Sequence, residues 1–333
     1  MDKILFFIFT AVVLVTALAG CTGRFLTGAD TSPQTLRNEH LVIVRVGPHD
    51  TLESLAHIYL GEREKAWWIA DYNGIQTAQV GQRLVIPLKP IVYGGLRRDG
   101  YQTVPVLLYS KVTANDKESR GISAAQFESQ LQYLQRNGYQ SISLDALNGF
   151  FNLAEQVPPK AIVITFDSAQ RWVYEIVYPI LKKYGFKAAV FVPTGLIGEA
   201  GFMHWSDLAA MSADGYDVGV NGITARDLIS ISSDEDPAAY LQVLEEEIAK
   251  PRLAVSEKLK RPCSYFAYPA GRSNDLIVAM LKKHGYATAF SRQSGSNPFF
   301  VDNYMVRRFV ITNPISEEQF QTYLTTFVPA ELQ

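Results

Sequence analysis

The chain has 333 residues, of which 47% are apolar and 19% charged, with a formal charge of −2. This is an ordinary globular composition with room for two domains, and the balanced charge excludes nucleic acid as an expected partner. Five histidines are few for a metal-rich protein, and the two cysteines, Cys21 and Cys263, stand far apart. No disulfide is expected, and Cys263 reads as a small buried apolar residue.

Lys3 precedes an apolar run from Ile4 to Leu18. That run has the length of a secretory core and falls short of the roughly 20 residues that cross a bilayer. It closes on Leu18-Ala19-Gly20-Cys21, which resembles a bacterial lipobox. The resemblance implies that residues 1–20 are a signal peptide and that the Cys21 thiol is lipidated, anchoring the chain to a membrane. An uncleaved signal anchor is the alternative. Several acyl chains on one residue make a stable anchor where a single chain is marginal. Thr22 is not the Asp that, by resemblance to enterobacterial lipoproteins, retains such proteins at the inner membrane. An outer-membrane position facing the periplasm is therefore expected if the host is Gram-negative. From Cys21 to Asn38 the chain is polar and aperiodic, the pattern of a flexible tether.

Residues 39–87 read as strand, helix, helix, strand. Leu41 to Val46 is the first strand. Asp50 or Thr51 can cap a helix whose apolar face is Leu52, Leu55, Ala56 and Tyr59. Gly61 ends it, Lys65 to Tyr72 makes a second helix, and Leu84 to Ile86 closes the unit before Pro87. This βααβ pattern resembles a LysM module through Gly47, Asp50-Thr51-Leu52, Ile58, Gly61, Trp68-Ile69, Asn73-Gly74 and Gly81 to Pro87. The resemblance implies binding of N-acetylglucosamine-containing chains such as peptidoglycan, in a groove formed by Gly47, His49, Asp50, Thr51, Asn73 and Gly74. His49 departs from the usual Gly. Trp68 is expected in the core, while Trp67 suits core or groove.

Residues 88–103, Gly-rich and polar, read as a linker. Beyond it, strands and helices alternate: strands at Val104–Tyr109, Ser141–Leu144, Ala161–Phe166, Lys187–Val192, Asp217–Val220, Ser264–Tyr268, Thr288–Ser291 and Arg307–Ile311. Helices begin after Ser123, after the central strand, at Ser206, near Pro237, at Asp275 and at Glu317, the last running to Thr326. Repeated βα units over residues 104–328 suit an α/β fold, a (β/α) barrel with a distorted repeat. The continuous apolar run Ala161-Ile-Val-Ile-Thr-Phe ends on Asp167, placing a carboxylate where a buried parallel strand leaves the sheet.

That run resembles the first motif, T-F-D-D, of the polysaccharide deacetylase (NodB homology) family. Val104-Pro-Val-Leu-Leu-Tyr-Ser110, Lys182 to Val192, Trp205-Ser-Asp-Leu208, Ala267-Tyr-Pro-Ala-Gly271 and Arg307-Arg308 match further landmarks, chiefly of the poly-N-acetylglucosamine deacetylase branch. The resemblance implies a zinc-dependent hydrolysis of an acetamide by a distorted (β/α) barrel. One Asp acts as base, an Asp and two His hold the metal, and another His protonates the leaving amine. In this chain the base position is Asp167. The metal carboxylate is Ser168, the His pair is Asn221 and Ala225, the acid is Ser110, and the Tyr of Y-P-Y-G is Ala270. Catalytic zinc takes about three protein ligands of the His or carboxylate kind, so no metal and no cofactor are expected here. A serine hydroxyl is no proton donor near neutral pH. Neither His204 nor His284 is expected to rescue the site.

The expectation is a catalytically inactive envelope lipoprotein that binds an N-acetylglucosamine polymer. Its cleft would be lined by Asp167, Asn221, Tyr268, Pro269, Arg307 and Arg308. One alternative is an active carbohydrate de-N-acetylase with an atypical site, for which zinc would be required. Another is a scaffold for exopolysaccharide or other envelope machinery.

Overall fold

The structure, a computed structural model, describes residues 36–37, 40–89, 94–97, 99–114, 121–230 and 236–330. The expected signal peptide, Cys21 and nearly all of the tether lie outside them. No helix among the described residues is long and apolar enough to cross a membrane.

The small N-terminal unit is built as its pattern requires. Strand β1 (Leu41–Arg45) pairs antiparallel with β2 (Arg83–Pro87), Ile43 facing Val85, and a two-residue strand, Leu36–Arg37, adds to the edge. Helices α1 (Leu52–Leu60) and α2 (Ala66–Asn73) lie between them in sequence. Thr51 caps α1 reciprocally with Ser54, and Gly61, at φ 81°, ends it in the left-handed conformation that costs glycine least. Val42, Val44, Leu55, Ala56, Ile69, Leu84 and Ile86 form its core. Trp68 is 7% exposed, in keeping with a packing role.

The expected linker ends early. Gly100–Val104 is a strand, β3, paired antiparallel with Leu96–Arg97, with Asn297–Pro298 and with a C-terminal strand, Phe327–Pro329. Pro105 has no N–H to donate, and the single strand expected over Val104–Tyr109 breaks there, resuming as β4 (Val106–Tyr109). The expected strand Ser141–Leu144 is likewise divided. Gln140–Ser141 pairs with the next strand, whereas Ser143 caps helix α4 (Leu144–Phe151), its hydroxyl accepting from the Ala146 N–H at 3.1 Å. The last helix runs over Glu317–Thr322 and stops short of Thr326.

The remaining elements are α3 (Ala124–Arg136), β5 (Ala161–Phe166), α5 (Tyr178–Tyr184), β6 (Ala189–Val192), α6 (Trp205–Ala213) and β7 (Asp217–Val220). They are followed by α7 (Pro237–Leu259), β8 (Tyr265–Ala267), α8 (Asp275–Lys283), β9 (Thr288–Phe290) and β10 (Phe309–Ile311). One parallel sheet of eight strands runs in the order β9-β8-β7-β6-β5-β4-β10, with Gln140–Ser141 pairing beside β5 off this path. An isolated bridge from Phe290 to Val306 curls its far edge back towards the segment that enters β10. This is the curled parallel sheet of a distorted (β/α) barrel, as the alternation of elements predicts.

Strand parity separates two cores. Leu107, Tyr109, Ile162, Ile164, Phe166, Val190, Val192, Val220 and Phe266 pack outward under the helices. Val106, Val163, Ala189, Phe191, Ala267, Phe290 and Val306 face inward with Leu147 and Phe150 of α4, which plugs the end where the strands begin. The opposite end, where the strands leave the sheet, is the barrel mouth.

Candidate functional site

The inward parity of Val163 and Thr165 on β5 carries Asp167 to the inner side of the mouth. Its carboxylate is met by Arg308. Nη1 donates to Oδ1 at 2.7 Å and Nη2 to Oδ2 at 2.8 Å, the two-pronged geometry that planar guanidinium favours. Arg308 is 0% exposed and the Asp167 side chain 7%. The guanidinium also donates from Nε to the Ser291 carbonyl at 2.7 Å and lies 5.8 and 5.9 Å from the ring centres of Phe191 and Phe290. A buried pair of this kind offsets its desolvation only when its remaining donors are satisfied, as these are. Arg292, which the sequence does not single out, brings an exposed guanidinium to 3.9 Å from the same carboxylate.

Register sets the neighbours. Leu108 lies opposite Thr165, so Ser110 leaves β4 level with Asp167; it is exposed and its N–H donates to the Ile311 carbonyl. Ser168 follows Asp167, and its hydroxyl accepts from the Gln170 N–H at 3.1 Å. Asn221 extends β7, 5% exposed, with its Oδ1 lacking any hydrogen-bond partner. Such an orphan costs about 1–3 kcal/mol, and the atom itself has no exposed surface. Ala225, on the same loop, is exposed and left-handed at φ 59°, and Ala270 is likewise exposed at φ 55°.

The loop Asn221 to Ala225 is held by a residue the sequence reading missed. Glu247 of α7, 5% exposed, accepts from the Ile223 N–H at 2.6 Å, the Thr224 N–H at 3.2 Å and the Thr224 hydroxyl at 2.7 Å. Gly222, at φ 96°, makes room for it, since a Cβ there would stand 2.6 Å from Glu247 Oε2. The signal was present: Tyr240, Leu244, Glu247, Pro251 and Val255 share the buried face of α7, and a Glu on such a face demands a partner.

These residues do not fit a catalytic divalent metal. Asp167 is engaged at both oxygens by Arg308, the Ser168 hydroxyl is drawn into its own turn, Ala225 has no donor atom, and Asn221 offers one neutral oxygen. Among the described residues no three His, Cys, Asp or Glu side chains cluster so as to hold an ion. His204 is an exposed residue at the start of α6, and His284 stands 2.8 Å from Glu245 on the helical layer.

The expected cleft residues need correction. Tyr268 faces outward beneath the helices, 0% exposed, and its hydroxyl donates to the Tyr304 carbonyl at 2.8 Å. Pro269 is buried. Arg308 is spent on Asp167. Arg307 lies two residues before Phe309, which faces Leu107, so it sits towards the strand starts, its N–H donating to Asn297 Oδ1 at 2.8 Å. Of the expected polar lining, Asp167 and Asn221 belong to the mouth as positioned, and Tyr268, Pro269 and Arg307 do not.

In the small unit, Asn73 is also corrected. Its amide donates to the Ile69 and Val85 carbonyls at 2.8 and 2.7 Å and accepts from the Val85 N–H at 2.9 Å, pinning α2 to β2 and leaving little to bind a sugar. Asp50 accepts from the Gly47 N–H at 2.7 Å, and Thr51 caps α1, so both side chains shape the loop. His49 and Gly74 are exposed.

Comparison with known proteins agrees with this architecture. Residues 154–289 match the family model for polysaccharide deacetylase. The chain is 25% identical over 217 residues to a poly-beta-1,6-N-acetyl-D-glucosamine N-deacetylase of Staphylococcus aureus, covering 63% of this chain and 74% of that protein. Streptococcus pyogenes deacetylase PplD in complex with acetate superposes with a TM-score of 0.62 at 23% identity, over 67% of this chain and 98% of that one, a likeness of fold. IcaB from Ammonifex degensii gives 0.58 at 25% identity, over 68% and 97%.

Proposed function

The chain carries a polysaccharide deacetylase domain, and from that premise we propose that it is a non-hydrolytic, membrane-anchored envelope protein that binds N-acetylglucosamine-containing glycan. The observation that carries this reading is the contrast at the mouth. Asp167 is buried and paired with Arg308, while Ser168, Asn221 and Ala225 occupy the positions that the resemblance reads as metal ligands and Ser110 the one it reads as the acid. An amide is a poor electrophile, and hydrolysis in this family's manner needs a Lewis acid to polarise it. Loss of the general acid alone typically removes about 10²–10⁴-fold.

The βααβ unit, read as a LysM module over residues 39–87, would hold the glycan through the backbone of the Gly47–Thr51 loop and the exposed His49. An acetamido group presents one donor and one acceptor, which loop amides and carbonyls match. At the barrel mouth the exposed Ser110 would offer its hydroxyl to a sugar. Acyl chains at Cys21 would keep both sites at the membrane surface. The relatives named for poly-N-acetylglucosamine support a polymer of that class.

The test is metal analysis of the purified protein combined with acetate release from N-acetylglucosamine oligomers. It is run beside a variant carrying Ser110→His, Ser168→Asp, Asn221→His and Ala225→His. The native protein is expected to hold no stoichiometric zinc and release no acetate, with activity gained only in the variant. Deleting residues 40–87 should abolish retention on insoluble peptidoglycan. A second reading, an active de-N-acetylase with an atypical site, draws on the retained Asp167; zinc-dependent acetate release lost in Asp167→Asn would establish it and dispose of the first.

A further inference from the structure

A sizeable space against the barrel lies away from the mouth. A cavity of ≈ 710 Å³ lies where the small unit meets the opposite end of the barrel, lined by Tyr59, Glu62, Lys65, Trp68 and Glu155 among others. A second, of ≈ 280 Å³, shares Glu62, Lys65, Trp68 and Glu155 with it and continues along Glu64, Trp67, Ser141 and Gln156. The two make one trough, walled on one side by the start of α2 and on the other by the segments that lead into α4 and β5.

Its chemistry is that of a saccharide site with a bias of charge. Trp67 and Trp68 stack with ring centres 6.2 Å apart and planes 23° from parallel; Trp68 is buried, while Trp67 is only half-buried. An indole face presented this way suits the C–H face of a pyranose, and the adjoining serine and glutamine side chains suit its hydroxyls. Three carboxylates, Glu62, Glu64 and Glu155, line the trough together with the single ammonium of Lys65, which Glu62 holds at 3.0 Å. Arg37 adds a second cation only at the larger cavity. Among the described residues neither Glu64 nor Glu155 forms an ion pair. Burial holds the Glu155 carboxyl above the usual carboxylate range, against the pull of Lys65, so a cation placed there would relieve an existing cost.

We propose that this trough binds the glucosamine units of a partly de-N-acetylated amino-sugar chain, stacking a sugar ring on Trp67 and receiving its ammonium between Glu64 and Glu155. The inference rests on the glycan-binding reading above and deepens it: acetylated units would engage the Gly47–Thr51 loop and the mouth, and free amines the trough. One chain carrying both kinds of unit would then be selected over a fully acetylated one.

Isothermal titration of the full chain at pH 6.5 with a glucosamine hexamer and with an N-acetylglucosamine hexamer tests this. Glu64→Gln with Glu155→Gln is expected to weaken the glucosamine hexamer tenfold or more and to leave the acetylated hexamer unchanged. Trp67→Ala should weaken the glucosamine hexamer similarly, and Trp67→Phe, which keeps a ring and guards against misfolding, should restore it. Added salt should weaken the glucosamine hexamer in the native chain and much less in the Gln pair. Unchanged glucosamine binding in the Gln pair, equal loss of both hexamers, or a change only in self-association would overturn the proposal. If the acetylated hexamer fails to bind at all while the glucosamine hexamer behaves as stated, the broader glycan reading fails and the trough stands.

Discussion

Asp167 and Asp217 stand at opposite ends of the same parallel sheet, and their surroundings differ in kind. At the mouth, Asp167 meets a fully buried guanidinium through two bonds, with a third anchoring that guanidinium to Ser291. At the other end, Asp217 begins β7 and accepts from the Leu144 N–H at 2.7 Å, while burial pushes its carboxyl up to about 6, and Asp145 nearby adds to the rise. One end holds a matched charge pair beside the small polar side chains of Ser110 and Ser168. The other holds a buried acid without a matched cation, bonded to the start of α4. Strong burial of a carboxylate is therefore no guide to chemistry here; the partner is what distinguishes the two.

The largest expected effect comes from breaking the match. Arg308→Met should leave Asp167 with only the exposed Arg292 guanidinium, 3.9 Å away, as counter-charge and cost about 3 kcal/mol in urea unfolding at pH 7. The double variant Asp167→Leu with Arg308→Met should recover most of that loss. If it does not, the pair is worth more than its mutual compensation.

The mismatch at the other end predicts the reverse sign. The folded chain holds a proton on Asp217 that the unfolded chain releases between about pH 4 and 6. The native protein should thus gain stability from this group as pH falls through about 6. Asp217→Asn should remove that dependence and stabilise the protein at pH 7.5 by at most about 3 kcal/mol, at roughly 1.4 kcal/mol per pKa unit. Unfolding curves of both proteins at pH 5 and pH 7.5 check this. A wild-type stability that rises from pH 5 to 7.5 by the same amount in both would remove Asp217 from the account.

Glu247→Gln sharpens the comparison at the loop carrying Asn221. A carboxamide keeps one acceptor for the two N–H groups and the hydroxyl, and the cost is expected near 2 kcal/mol. Faster hydrogen exchange at Ile223 and Thr224 should accompany it. The smallest effects belong to Ala225→Gly and Ala270→Gly. Both positions are left-handed, which disfavours a Cβ, so each variant should gain up to about 1 kcal/mol in thermal unfolding.

Much of this was legible in the residues. The apolar run Ala161–Phe166 required a strand covered on both faces, and period two carried Asp167 to the inner rim. The capping boxes at Thr51 and Ser123 set helix starts, and the βααβ pattern of the small unit emerged with its core as expected. Other assignments needed partners that a local window does not contain. Arg307 and Arg308 are adjacent and chemically identical, and only the pairing of Phe309 with Leu107 decides which one turns inward to Asp167. Tyr268 follows Ala267 by one residue, and that single step puts its ring under the helices instead of in the mouth.

By itself, then, the amino-acid sequence determined most of the elements, their order and the inward carboxylate, because these depend on residue type and short-range periodicity. The tertiary structure alone decided that Arg308 is the guanidinium facing Asp167, that Glu247 binds the loop of Asn221, that Asn73 is an internal clamp and that a carboxylate-rich trough opens beside Trp67. Each of these joins segments far apart in the chain, and such contacts follow from strand register and packing, which no local pattern encodes.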